Sequence, residues 1–305
     1  MIFYSTFSIT LLYIFSFVFR VGPFAPTRYL PMIVESEHIL AHSAVVPFEI
    51  FLHPTKFDKF ISRDIRNLGT WEHNLHLRLA KIFLERGPAT FIDLGAHVGF
   101  HSLAMASVGA AVVAVEPFEA SADLLATSSS YNHLDPLIHL VRAAASNNAT
   151  HSPACMHASR TNRGHVFLRP APRDAAEDAS HAHHKRGKED DEPPVVDFHG
   201  REHRLKDCIP TPVQTADQIL AGLPDLPPVL AVKVDVEGHE VQVLEGMRGL
   251  LHSPAAPCYL FVELFPSLLE TQGTSVRSLL RLAEEAGYTY NQLGEWMIPL
   301  PPWVL

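Results

Sequence analysis

The sequence has little cysteine: three in 305 residues, Cys155, Cys208 and Cys258. They are widely spaced and odd in number, which excludes a CxxC metal site and predicts no disulfide framework. Cys258 opens an apolar run and reads as a core residue, and cysteine usage leaves the compartment open. Positive charge is also short. With 24 Lys+Arg against 33 Asp+Glu the formal net charge is −9, which argues against a broad electrostatic footprint for nucleic acid. There is no internal repeat, P-loop, zinc-ligand spacing or Ser-His-Asp signature. The glycine turn Gly95-Ala96 is not GxGxxG. It lacks the central glycine that lets a pyrophosphate approach, and Asp93 stands where a carboxylate would repel phosphate.

What is present is organised around Phe91 to Phe118, FIDLGAHVGFHSLAMASVGAAVVAVEPF. A short apolar run, Thr90 to Leu94, carries Asp93 and ends in the Gly95-Ala96 turn. A helical pattern follows, and a second apolar run, Ala111 to Val115, ends in Glu116. Strand, glycine turn, helix and strand make the opening unit of a doubly wound α/β fold, with its ligand at the carboxyl ends of the strands. Gly95 permits a tight turn, and Gly99 lets the helix start lie close to the strand. An acid about 20 residues beyond such a turn, at the tip of the second strand, is placed to hold the two hydroxyls of a ribose. Glu116 is that acid. The loop therefore suits a nucleoside without phosphates that carries an amino-acid tail. S-adenosylmethionine is such a ligand.

Two later stretches extend the pattern. Val229 to Val234, VLAVKV, reads as a fourth strand buried on both faces, with Asp235 at its tip. Its one charge, Lys233, would be costly if buried alone; either it pairs with an acid, Glu263 being the first candidate, or it reaches the site mouth, and Glu263 would otherwise line the acceptor pocket. Glu237 is expected to bond backbone amides at the next helix start, Glu237 to Glu240, which runs to about Leu251. Tyr259 to Leu264 reads as a fifth strand, Ser275 to Ala286 as an amphipathic helix, and Tyr288–Leu293 with Trp296–Leu300 as an antiparallel hairpin. Upstream, Val46 to Ile50 reads as a short strand and His53 to Arg86 as helical. Downstream of Glu116, Ala120 to Asn132 reads as a helix and Ile138 to Arg142 as the third strand.

The segments FIDLGAHVGFHS, VVAVEP and VKVDVEGHEVQVLEG (Val232 to Gly246) resemble motifs of the FkbM-type methyltransferases, over Gly69 to about Tyr290. The last is the family's most specific signature. The family's usual asparagine after Gly-Ala is His97 here. The resemblance implies a Rossmann-like methyltransferase fold, a mostly parallel sheet closed by the antiparallel C-terminal hairpin. It implies S-adenosylmethionine as donor, with hydroxyls on sugars or small molecules as acceptors. It places Asp93, Gly95, Ala96, His97, Gly99, Glu116, Pro117 and Asp235 in the cofactor site. Gly69-Thr70-Trp71-Glu72 resembles a Gly-x-x-Glu element, by which Trp71 and Glu72 would fold over the cofactor. Ser146 or Asn147 would meet the adenine. Asp235 is the first candidate to position or deprotonate the acceptor and His239 the second, since a hydroxyl must lose its proton. Two other readings stand beside this: a methyltransferase-like module that binds without turnover, and a nicotinamide-dependent oxidoreductase, disfavoured by the missing glycine.

The domain expectation is an N-terminal anchor over 1–20, a proline-containing stalk over 21–47, and a catalytic domain over 48–305 with a flexible insertion at 155–207. Ile2 to Phe19 carries no charge and just reaches the length that crosses a bilayer, about 17–25 residues. A membrane-anchored protein is therefore expected, or alternatively one secreted by a signal peptide. Ala171 to Pro194 has no hydrophobic period and reads as flexible, with strand pieces at His165–Leu168 and Val195–Phe198. His181, His183 and His184 within it read as a solvated run, and no metal is expected. The partners expected are a small-molecule or glycan acceptor and a membrane, not nucleic acid.

Overall fold

The apolar runs become the centre of a sheet. The computed structural model describes residues 36–41, 46–147, 154–158, 166–169, 195–196, 202–203, 209–293 and 296–300, all within one unit spanning 33–305. The chain begins with β1 (Glu37–Ala41), β2 (Phe48–Leu52), α1 (Ile61–Leu68) and α2 (His73–Arg86). Next come β3 (Thr90–Leu94), α3 (Phe100–Ser107), β4 (Ala111–Val115), α4 (Glu119–Tyr131) and β5 (Ile138–Val141). A group of short strands follows: β6 (Ala144–Ala145), β7 (Ala154–Ala158), β8 (Val166–Arg169), β9 (Val195–Val196), β10 (Glu202–His203), β11 (Ile209–Thr211) and β12 (Val213–Gln214). The remainder is α5 (Ala216–Ala221), β13 (Val229–Val234), α6 (Glu240–Glu245), α7 (Arg248–Leu251), β14 (Tyr259–Glu263), α8 (Pro266–Thr271), α9 (Val276–Glu285), β15 (Thr289–Leu293) and β16 (Trp296–Leu300).

The central sheet has the order β15-β16-β14-β13-β3-β4-β5. From β14 to β5 all neighbours are parallel, and β16 is antiparallel to both strands beside it. This is the doubly wound arrangement expected, hairpin included. The connection order reverses between β3 and β13, so a crevice for ligand forms at their carboxyl ends.

Alternation along each strand divides the core. Phe91 of β3 and Phe261 of β14 join Leu75, Leu79, Leu103 and Ile50 on one face. Ile92, Leu94, Val232, Val234, Leu244 and Leu279 fill the other. Helix starts are fixed locally. Thr215 and Gln218 form a reciprocal capping box at α5, and the Ser275 hydroxyl accepts from the Ser278 amide at α9.

Several expectations change. Glu37–Ala41, read as stalk, is a strand paired with β2 in register. The helical stretch His53–Arg86 is two helices, because Gly69 (φ 72°) and Glu72 (φ 43°) take left-handed conformations between them. The long helix expected to reach Leu251 breaks into α6 and α7 at Gly246-Met247. Of the strand pieces in the insertion, Val166–Arg169 and Val195–Val196 are present, and β7 was unforeseen; Ala171 to Pro194 lies outside the described residues. The expected membrane anchor is corrected: among the described residues no helix is long and apolar enough to cross a membrane. Residues 2–19 lie outside them. That run sits at the lower limit of spanning length and is diluted by five serine and threonine side chains.

Candidate active site

At the reversal point the backbones of β3 and β13 touch. Gly95 (φ 85°) follows β3, and a Cβ there would overlap the carbonyl oxygen of Asp235. Only glycine fits. The amides of Gly95 and Ala96 both donate to the carbonyl of Val115, at 2.9 and 3.1 Å, which ties the turn to β4. A cleft opens over this junction. Gly95, His97, Glu116, Pro117, Asp235, Glu237 and His239 line it, together with Ile61, Val115, Ala143–Ala145, Met156, Leu168 and Val236.

Glu116 is 5% exposed. One carboxylate oxygen accepts from the His97 amide and the other from the Phe118 amide, each at 2.8 Å. Burial pushes its carboxyl up to about 7, against the pull of those two amides. A carboxylate held by backbone on one side and open to a cleft on the other suits a pair of hydroxyl donors.

At the neighbouring tip the charge is paired. Lys233 is 3% exposed and lies 3.1 Å from Asp235 and 3.4 Å from Asp93. Burial opposes its charge, but Asp235, Asp93 and then Glu72 overcome this and hold the ammonium above its usual range. The expected partner, Glu263, is not the one used. Register places Lys233 beside Asp93 on one side and Phe261 on the other, with Glu263 two residues further along β14. Glu263 instead sits near Asp235, Glu237, Glu240 and Glu72; burial first, then these like charges, raise its carboxyl well above the usual carboxylate range. Asp93 is 1% exposed, and its second oxygen accepts from the Ser102 hydroxyl at 2.7 Å. It braces the lysine from within the sheet.

Glu240 accepts from the amides of Val236 and Gly238, at 3.2 and 3.0 Å. It thus makes the turn contact expected of Glu237, and burial raises its carboxyl to about 8. Glu237 lines the cleft. His239 meets the Ser146 hydroxyl at 2.9 Å through Nε2, and burial lowers its pKa to about 4, so the ring is neutral near pH 7. Its Nδ1 is buried with no hydrogen-bond partner among the described residues. An orphaned polar atom beside a cleft fits a bound polar molecule.

Of the remaining residues singled out in the sequence, Ala96, Gly99, Glu72 and Ser146 stand behind the lining. Gly99 packs on Leu125. Glu72 pairs with His101 at 3.0 Å; His101 is held neutral, its pKa lowered to about 3 by burial and by Lys233. His97, where the family has asparagine, has φ 50°, a conformation that asparagine and histidine accept better than most residues. Its ring lies 3.8 Å from the buried Asp58, which accepts from three amides at the start of α1. Of four non-glycine residues with positive φ among those described, Glu72, His97 and Glu237 belong to this neighbourhood. Such clustering accompanies functional sites. No sequence signal pointed to Asp58, Ile61, Ala143–Ala145, Met156 or Leu168.

Cys155, beside Met156, is disulfide-bonded, while Cys258 is free. The expectation of no disulfide is thereby corrected: pairing of β7 with β11 brings sequence-distant residues side by side, which cysteine spacing alone does not reveal. Among the described residues no group of His, Cys, Asp and Glu could hold a metal ion.

Comparison with solved structures gives low overall similarity. A SAM-dependent methyltransferase from Agrobacterium tumefaciens matches at 16% identity and TM-score 0.28, over 36% of this chain and 33% of that one. A transferase from Pyrococcus horikoshii matches at 12% identity and TM-score 0.40, over 87% and 70%. The Thermus thermophilus 16S rRNA N2 G1207 methyltransferase, in complex with AdoMet and guanosine, matches at 14% identity and TM-score 0.40, over 89% and 51%. The chain thus spans about a third of the first of these and half of the last. No curated protein matches. Residues 93–290 match the Methyltransferase FkbM domain. That segment contains the β3 and β4 tips, the whole of the Lys233–Asp235 junction and most of the cleft, and by it the chain belongs to the FkbM family of S-adenosylmethionine-dependent methyltransferases.

Proposed function

We propose that the protein transfers a methyl group to a hydroxyl oxygen of a small molecule or glycan. The observation that carries this is the pair of acids in one cleft: Glu116, held by two backbone amides, and Asp235, paired to Lys233, on opposite sides of the Gly95 turn. S-adenosylmethionine, when bound, supplies an electrophilic methyl on sulfur. Glu116 would take the two ribose hydroxyls, and Gly95, Ala96 and His97 would give the nucleoside and its tail a close backbone approach.

Asp235 would then orient the acceptor hydroxyl and draw its proton away from the carbon being attacked. Much of the acceleration in such a displacement comes from holding acceptor and donor in line, and a rigid strand tip serves that purpose. Lys233 fixes the Asp235 carboxylate from below. His239, neutral and bonded to Ser146, is a positioning group, its low basicity being a poor match for a proton acceptor near pH 7. The preference for oxygen rests on the family resemblance.

The test is calorimetric titration of S-adenosylhomocysteine into wild type and Glu116→Ala, followed by transfer of labelled methyl to panels of hydroxylated acceptors. Saturable binding lost in the variant, with label appearing on an acceptor oxygen, supports the reading. Binding without transfer to any acceptor would favour the non-catalytic module, and label recovered on nitrogen or carbon would overturn the oxygen assignment.

A further inference from the structure

The cleft has an end that neither acid explains. Sheet order places β13, β3, β4 and β5 side by side, so Asp235, the Gly95 turn, Glu116 and the chain after β5 succeed one another across the carboxyl edge. A nucleoside whose ribose is held at Glu116, with its sulfur toward Asp235, must direct its base toward the chain after β5. There the lining changes from charged to apolar: Ala144 and Ala145 form one wall, and Met156 and Leu168 contribute from β7 and β8.

Met156 and Leu168 are direct partners in the β7–β8 ladder, so their side chains leave the same face of the hairpin as neighbours. Met156 is 1% exposed. The hairpin does not float: β7 also pairs with β11, Met156 lying opposite Ile209, and the adjacent Cys155 is disulfide-bonded. A polarisable thioether beside a branched apolar side chain is a suitable surface for the face of a flat heteroaromatic ring.

We propose that the β7–β8 hairpin, carried by the segment inserted between β5 and β13, is a clamp on the adenine ring, with Met156 and Leu168 as its contact surface. This rests on the cofactor reading given above. The hairpin is then part of the cofactor site through Met156 and Leu168, and its role is selection for the base over the rest of the nucleoside.

The test compares two probes by calorimetry on the full chain: S-adenosylhomocysteine, and S-ribosylhomocysteine, which has the same ribose and tail but no base. Wild type is expected to prefer the first. Met156→Ala with Leu168→Ala should lower affinity for S-adenosylhomocysteine about tenfold and leave S-ribosylhomocysteine within about twofold, with Met156→Leu restoring most of the loss. Leu168→Ala alone, on the edge strand of its small sheet, gives the same selective loss at smaller size and guards against misfolding of the double variant. Equal loss of both probes, or no loss of either, would overturn the clamp. Failure of wild type to bind S-adenosylhomocysteine at all would instead sink the cofactor reading on which the clamp depends.

Discussion

The tips of β4 and β13 each present an acid to the same cleft, yet they are built in opposite ways. Glu116 is held by two backbone amides; burial lifts its carboxyl to about 7. Asp235 is 3.1 Å from a buried ammonium. The first is an acceptor whose remaining capacity suits neutral hydroxyl donors. The second is an anion fixed in direction by a cation that the sheet itself holds in place. In the proposed reading one acid serves binding and the other alignment, and the difference lies in what stands behind each carboxylate.

The comparison breaks most sharply at Lys233. Lys233→Met leaves Asp93 and Asp235 without their shared cation, and removing one member of a buried ion pair costs about 3–5 kcal/mol. Urea unfolding should show a loss of that order; a loss below about 1 kcal/mol would mean that the pair is a surface-like ornament. Next in size, Glu116→Ala removes charge-assisted hydrogen bonds, each about 1.5–3 kcal/mol. S-adenosylhomocysteine affinity should therefore fall about 10- to 100-fold. Asp235→Asn sharpens the contrast. Single-turnover methyl transfer should drop about 100-fold or more, while S-adenosylhomocysteine affinity stays within about threefold.

The smallest effect is on stability against pH. Glu116 and Glu240, raised from 4.5 to about 7 and about 8, keep a proton in the folded chain that the unfolded chain has lost. Their contribution is therefore full below pH 4.5 and is lost as pH rises through their folded values. His76, His101 and His239 act in the opposite sense, lowered from 6.5 to about 4, 3 and 4, so they favour the folded chain most above pH 6.5. Between pH 4.5 and 6.5 the two sets oppose each other. Above pH 6.5 the glutamates act alone, and the melting temperature should fall between pH 6.5 and 8, a slope that Glu240→Gln flattens. A rising or level profile there would contradict the buried placement of these acids.

The sequence made the sheet legible because its strands are short apolar runs ended by acids and glycine, and the helices between them carry their own stops. The tips of β3, β4 and β13 were readable for the same reason. Other features were not. Lys233 was assigned to Glu263 because a sequence shows which residues end strands but not which lie opposite in register. Glu240 bonds the amides of Val236 and Gly238, a contact for which the sequence offered no signal. Asp58 and the Met156–Leu168 pair were invisible, since each acts across an element boundary with no local period. The anchor expectation rests on residues 2–19, which lie outside the described residues, and no described helix is long and apolar enough to cross a membrane.

The overlap that excludes any Cβ at Gly95 sets how closely the turn after β3 approaches the backbone of Asp235. Side-chain packing behaves as a soft spacer, yielding by tenths of an ångström when a core residue is exchanged. Backbone against backbone behaves as a gauge block, whose thickness does not depend on what surrounds it. The approach of this turn to Asp235 thus rests on backbone contact rather than on the side chains of either hydrophobic layer, and it is kept so long as position 95 carries no side chain.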